Sequence, residues 1–548
     1  MATDMASMTT SGHLGRGNVV VGAIVTLVIL YLASALYGLP QHATSLVTAA
    51  HDHAAASHDT SHESAETHHP GSLAPPYWTV IPFVLLLGAI AVFPLLEITE
   101  HWWESNLNRF KVAAVLGAIT LSYYAVSHHA PVEAHWPAHS VVEPGDGALQ
   151  GSFVAAILGN ALLSEYVPFI VLLFSLYTIA GGIRIEGDLQ ASPLTNASFM
   201  AVGGLLASFV GTTGAAMLLI RPLLETNKER KHVAHTVVFF IFVVCNCGGC
   251  LLPIGDPPLF LGYLEGVRFT WTLGLWGPWL FVNGLLLLTY SLADQFFFYR
   301  HETIKDIERD LEQTRKLTVS GLAVNGPLLL GVVFAVALLD PSKAVPGTHW
   351  HAWMFLREIT QLALVALALY FGSQKIREKN QFNYHAIIEV AALFLGIFIC
   401  MQPALQILAE KGKVLADSLS PAGFFWATGS LSSFLDNAPT YLVFFKAAQD
   451  PTVGGATGGV PEMVLQGIAL GAVFMGAMTY IGNGPNFMVK AIAEKSGVRM
   501  PSFFGYMAYS CLVLLPILLL ANWRYLSSEQ SPPPAEQAMV SSVETTSH

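Results

Sequence analysis

Two apolar stretches of this chain are each interrupted halfway by small or polar residues, and this restricts the fold more than any other feature. Residues of about 198–224 break at Gly211-Thr212-Thr213-Gly214, and about 421–447 at Asp436-Asn437-Ala438-Pro439. Each arm is about 11–13 residues, whereas a helix needs about 20 to cross a hydrocarbon core of roughly 30 Å. Within lipid the backbone must satisfy its own hydrogen bonds, so irregular turns survive only where protein or a cavity surrounds them. The pattern predicts two re-entrant hairpins. Further apolar runs fall at about 19–37, 77–96, 110–129, 150–183, 233–265, 271–299, 320–339, 355–372, 385–408, 461–495 and 503–523. Only 11% of residues are charged, against about 25% in a soluble domain. The expected fold is an all-α polytopic membrane protein of about eleven transmembrane helices.

Charge placement tests that topology. With a cytoplasmic N-terminus and neither hairpin counted as a span, all but seven of the 26 Lys and Arg fall on the cytoplasmic side. The exceptions are Arg268, Lys343, Arg357, Lys411, Lys413, Lys446 and Arg524. This is the asymmetry of the positive-inside rule, and a bacterial inner membrane is the expected location. Counting either hairpin as a full span would invert everything after it. Residues 1–76 hold the first helix and a linker, 77–299 a first repeat, 300–319 a cytoplasmic linker, 320–523 a second repeat, and 524–548 a polar tail. Residues 19–32 followed by Ala33-Ser34-Ala35 also fit a signal peptide, although Arg16 is the only basic residue before them. Residues 38–76 carry seven histidines and no Lys or Arg, which suits either a solvated linker or a metal-catching tether. Cys247 and Cys250 form a C-x-x-C without a second pair, so no metal site or disulfide framework is expected. No nucleic-acid motif is present.

The two halves superpose on paper. Gly204-Leu205-Leu206-Ala207-Ser208-Phe209 matches Gly429-Ser430-Leu431-Ser432-Ser433-Phe434 at an offset of 225. Ile254-Gly255-Asp256-Pro257-Pro258 matches Ile481-Gly482-Asn483-Gly484-Pro485 at 227, and Glu165 matches Glu389 at 224. Each half supplies five spans, an odd number, so the second is expected upside down relative to the first. Inverted repeats with interrupted helices place a substrate site at the membrane midplane, where the breaks meet.

The breaks carry the chemistry. Asn246–Pro258 and Gly476–Asn486 are rich in Gly and Pro. Glycine permits close backbone approach, and proline frees carbonyls that can face a cation. Asp256 and Asp436 each occupy a break inside an apolar segment. An acidic residue at a helix centre costs about 2.5–3.5 kcal/mol on insertion scales. A cation, a proton or a buried partner would relieve that cost, so such a group can exchange a metal ion for a proton. Alternatively each could cap the half-helix that follows. Asn437 and Thr440 add oxygens at the second tip, a donor set that suits hard cations. Glu165 and Glu389, nearer the ends of their spans, are proton-relay candidates or surface carboxylates.

At NCGGCLLPIGDPP (246–258), SSFLDNAPT (432–440) and IGNGPN (481–486) the chain resembles the ion transporter superfamily. That superfamily includes NhaD-type Na⁺/H⁺ antiporters, arsenite pumps and citrate or dicarboxylate carriers. The resemblance covers roughly 77–523. It implies a homodimer with scaffold and transport domains, hairpins entering from opposite faces, and an elevator movement. Its ion-site positions map onto Thr212, Thr213, Asn246, Gly248, Gly249 and Asp256, and onto Asp436, Asn437, Thr440, Thr479 and Asn483. Two departures weaken a dicarboxylate assignment: Leu259 replaces the usual Asn after GDPP, and the first tip reads Gly-Thr-Thr-Gly.

The leading expectation is therefore Na⁺ (or Li⁺) exchange for H⁺, with no cofactor and no catalysis. Coupled uptake of citrate or a related carboxylate is the alternative, and a metal-sensing receptor a third.

Overall fold

A computed structural model describes residues 2–58, 74–137, 140–145, 147, 149–302, 315–450, 453 and 457–526. His62, His68, His69, most of the 300–319 linker and nearly all of the polar tail lie outside the described residues.

The chain is an all-α polytopic membrane protein. Six helices are long and apolar enough to cross a membrane: Val19–Leu36, Asn106–Val126, Gly151–Ala180, Pro193–Val210, Trp271–His301 and Phe503–Tyr525. Two bent pairs, Tyr77–Val92 with Glu97–Trp103 and His385–Cys400 with Gln402–Glu410, raise this to as many as eight. The other expected spans are shorter apolar helices, among them Ala234–Cys250, Leu322–Leu338 and Glu462–Met478. Length alone misses them because backbone breaks cut the first and third of these runs. Only two small two-stranded sheets occur among the described residues.

Both interrupted stretches fold as helical hairpins. The first pairs Pro193–Val210 with Thr212–Thr226, and Gly211 turns between them at φ +79°, a conformation open to glycine and strained for other residues. The second pairs Pro421–Ser432 with Asn437–Ala448. One expectation needs correction: the first arm of the first hairpin has 18 residues, long enough to count as a span by length and apolarity. Its hairpin character comes from its ends, not its length. Asn196 and Asn227 exchange two amide hydrogen bonds of 2.8 Å at the base, so the chain leaves where it entered. Leu189 N–H also donates to Thr226 Oγ1, 3.4 Å away.

Two broken helices run beside the hairpins. The first joins Ala234–Val243 through a short turn at Cys247–Cys250 to Pro257–Leu264. The second joins Glu462–Met475 through Gly476–Met478 to Gly484–Lys495. Packing crosses between halves: Pro257–Leu264 lies on the second hairpin's inner arm and Gly484–Lys495 on the first hairpin's.

The bases of the two hairpins sit at opposite ends of the first broken helix. At its start, Arg230 forms a bidentate pair with Asp294 at 2.9 and 2.5 Å, and Lys228 reaches Asp188 at 3.1 Å. Strand Arg184–Asp188 pairs antiparallel with Arg315–Ser320 on the same side. There too Arg184 donates to Asn380 Oδ1 at 3.1 Å and Arg377 to the Thr178 carbonyl at 2.5 Å. At its far end, Glu265 pairs with Lys446 of the second hairpin, and Val267 bridges to Thr457. The basic segments expected on one side thus meet on one face of the molecule.

Single-cysteine variants at Lys231 and Lys316 are expected to label from one side of the membrane and Lys343→Cys from the other, read with an impermeant maleimide. Labelling of positions 231 and 316 from opposite sides would sink the hairpin assignment.

Candidate functional site

Asp256 is the point where both hairpins and both broken helices meet. It lies in the first break, extended at φ −142°, immediately before Pro257. Its side chain is about 1% exposed. Thr212 Oγ1, from the first hairpin tip, donates to Oδ1 at 3.0 Å. Asn483 Nδ2, from the second break, donates to the same oxygen at 3.2 Å. Asn437 Nδ2, from the second hairpin tip, donates to Oδ2 at 2.7 Å. Among the described residues no Lys, Arg or His joins this carboxylate in a salt bridge.

The equivalences read from the sequence are thereby given a geometry. Thr212 and Asn437 stand 225 apart and Asp256 and Asn483 stand 227 apart, and all four side chains converge. Behind them lies a second layer of amides. Asn246 donates to Asn486 Oδ1 at 2.8 Å and to the Ile241 carbonyl at 2.9 Å, and accepts from Asn483 at 3.2 Å. Asn486 donates in turn to the Gly476 and Thr479 carbonyls at 2.9 and 3.0 Å. Asn437 Oδ1, by contrast, is buried with no hydrogen-bond partner, and burying a bare acceptor costs about 1–3 kcal/mol.

Two serines pin the hairpins to the breaks in the same way. Ser208 Oγ donates to the Gly248 carbonyl at 2.7 Å, and Ser433 Oγ to the Met475 carbonyl at 3.1 Å. Glycine is required where these backbones touch. A Cβ on Gly248 would overlap Gly204 Cα, and one on Gly255 would overlap the Gly249 carbonyl oxygen.

The remaining candidates divide by position. Asp436 does not join the Asp256 cluster; it caps the helix after the tip, accepting from Ala438 N–H at 3.1 Å. Asp256 makes no such capping bond with its own half-helix. Thr440 donates to the Asp436 carbonyl at 2.9 Å and braces the tip. Thr479 donates to the Ser433 carbonyl at 2.5 Å and accepts from Ile481 and Gly482 N–H, holding the second break in shape. Gly248 has its carbonyl occupied by Ser208 and by Trp279 Nε1 at 3.0 Å. Gly249 N–H closes a turn on Asn246, and Thr213 is half-buried beside the tip.

Glu389 pairs with Arg109 at 2.9 Å near the basic face. Glu165 is buried in a wide-turn helical segment, Gly159–Tyr166. One of its oxygens accepts from Gln402 at 3.4 Å and the other has no partner. Wide turns of this kind recur at functional positions. Sequence reasoning left Asn486, Ser208 and Ser433 out of the site; all three lie inside the matched motifs, which was the available signal.

A family model described as putative citrate transport matches residues 72–526. A search of curated proteins returned no match. The chain belongs to the putative citrate transport family and is a citrate-transporter-like membrane transporter.

Gly248→Ala is expected to lower the thermal unfolding midpoint in detergent, because the new methyl meets backbone; overpacking of this sort costs about 1–3 kcal/mol or more. Gly484→Ala, whose Cβ would meet nothing within 4 Å, should hold or slightly raise it, since Gly→Ala at a compatible helical site gains roughly 0.4–1 kcal/mol. Equal midpoints for the two variants would contradict the close packing at the first break.

Proposed function

We propose that this member of the putative citrate transport family exchanges Na⁺ or Li⁺ for H⁺ by alternating access, with Asp256 as the exchange site. One observation carries the reading: Asp256 is fully buried among neutral donors from three other segments and has no basic partner among the described residues. An isolated buried carboxylate is strongly disfavoured. It is tolerated when it binds a cation or a proton, and one group cannot hold both. Competition at Asp256 therefore supplies the coupling. Asn437 Oδ1, an unused buried acceptor on the residue that already touches Asp256, is a fitting further ligand for a hard cation. Thr212 and Asn437 belong to different hairpins, so occupancy would be felt by both tips. Homodimeric assembly and an elevator movement are part of this proposal.

The family description and one geometric feature favour a second reading, coupled uptake of a citrate-like carboxylate. The half-helices beginning at Thr212, Pro257, Asn437 and Gly484 all start at the centre, and helix N-termini favour anions. In that case Asp256 would serve the coupling cation alone. The two readings part in proteoliposomes that contain a pH dye. Under exchange, external Na⁺ or Li⁺ drives proton flux without citrate; under the alternative, flux requires citrate.

Asp256→Asn should fold, because the amide preserves size and some hydrogen bonding, yet lose Na⁺-driven proton flux at every pH. Asp436→Asn should retain most of it, since Asn caps a helix as well as Asp does. Full flux in Asp256→Asn at normal membrane abundance would remove Asp256 from the mechanism.

Thr212→Ala and Asn437→Ala each delete one donor to Asp256 without removing a large packed side chain. Each should weaken apparent Na⁺ affinity about tenfold, the scale of a lost hydrogen bond to a charged group. Unchanged affinity in both would make the tips structural.

A further inference from the structure

We propose that a cavity on the basic face, lined by none of the residues that surround Asp256, is a binding site for a phosphate-bearing anion. It measures about 540 Å³ and lies between the base of the first hairpin, the start of the first broken helix and the loop that ends the second. Lys228, Arg230, Lys231, His232, His235 and Arg499 line it, and among the described residues no Asp or Glu does. Acids outside the lining pair with several of these cations: Asp188, Glu225 and Glu229 on Lys228, Asp294 on Arg230 and His235, and Glu302 on Arg230. Arg499, from the far loop, has no carboxylate partner among the described residues.

This arrangement differs from an ordinary solvated basic loop in three respects. The side chain of Arg230 is 4% exposed, and its bidentate grip on Asp294 at 2.9 and 2.5 Å fixes the guanidinium in place. Its Nε has no hydrogen-bond acceptor, the nearest carboxylate oxygen being Glu302 at 3.6 Å. The ten-residue helix Ala234–Val243 opens at the cavity from Val233, and no side chain caps its first N–H groups. Free helical N–H groups beside Lys and Arg form a phosphate-binding combination.

The partner's chemistry follows from the wall and its setting. Point charges, one fixed guanidinium and open N–H donors suit the oxygens of a phosphate ester. Phe298 lines the cavity, and its neighbour Phe297 is 72% exposed. Aromatic residues beside basic ones mark headgroup depth, and basic pockets at that depth take anionic headgroups. The shared chemistry has two sources, the headgroup of an anionic phospholipid or a free phosphate. Because Asn227 of the first hairpin and Ser496 beyond the second broken helix both line the cavity, a bound anion would tie together segments from both halves.

The test uses the full chain in phosphatidylcholine nanodiscs and follows the thermal unfolding midpoint. Probes are inorganic phosphate and short-chain phosphatidylglycerol, with short-chain phosphatidylcholine as control. A saturable rise with phosphatidylglycerol alone assigns a lipid headgroup; a rise with phosphate as well assigns a free phosphate. Either is expected to weaken roughly thirtyfold in Lys231→Gln/Arg499→Gln, at about 1 kcal/mol per charge removed. Both side chains are exposed, so folding should survive. Arg499→Gln alone, expected to weaken binding by about fivefold on that scale, serves if the double variant unfolds without probe. Lys343→Gln, on the opposite face, should bind as wild type. No saturable shift in the wild type, or an equal shift in wild type and variants, overturns the site. Asp256→Asn should bind the probe normally, so failure here and failure of the exchange reading are separately visible.

Discussion

A carboxylate buried with only neutral donors is the constraint on which this structure turns. Asp256 takes one hydrogen bond from each of three segments, two on Oδ1 and one on Oδ2. None of those segments could reach it as a regular membrane-crossing helix. The hairpins must turn back to present Thr212 and Asn437, and the helices must break at the same point to expose Asp256 and Asn483. The glycines follow from the same demand. Bringing four backbones to one point leaves no room for a Cβ between Gly248 and Gly204 or between Gly255 and Gly249.

Equivalent positions in the two halves keep their architecture and divide their chemistry. Ser208 and Ser433 make the same kind of bond, from hairpin to break. At the centre, however, the first half supplies the carboxylate of Asp256 where the second supplies the amide of Asn483, and these two side chains lie 3.2 Å apart. Two carboxylates at that distance would repel, and one would be forced to stay protonated. One acid and one amide leave a single carboxylate at this matched pair, held by an amide donor. The second layer shows the same division: Asn486 bonds Asn246, while the position matched to Asn486 in the first half is Leu259, buried and apolar.

Breaks, hairpins and membrane character were legible in the sequence because Gly, Pro and polar residues inside apolar runs survive in lipid only where protein or a cavity shields them. The roles of the two aspartates were not. Asp256 and Asp436 both stand just before a helix, and local sequence allows either to cap it. Tertiary placement decides. Asp436 turns onto the Ala438 N–H, and its neighbour Asn437 occupies the place beside Asp256. Glu389 likewise offered no local sign of its partner, since Arg109 is about 280 residues away in the chain. The first hairpin arm shows the limit of length as evidence. Its 18 residues could span, and the turn at Gly211 with the Asn196–Asn227 amide pair shows that the chain turns back.

Asn437 gives the centre a chemical means of registering what Asp256 holds. Its Nδ2 donates to Asp256 Oδ2 while its Oδ1 has no hydrogen-bond partner among the described residues. An amide has a donor end and an acceptor end. A protonated Asp256 would carry an O–H, and rotation of the amide by half a turn would let the oxygen accept it. A cation bound at Oδ2 would instead displace the N–H and draw the same oxygen toward itself. Proton and cation thus ask for the acceptor end, and the bare carboxylate asks for the donor. On the exchange reading, the change would be delivered to the arm of the second hairpin that Asn437 opens. A transporter needs differential contacts of this kind, since a ligand shifts a conformational equilibrium only by binding its two states unequally.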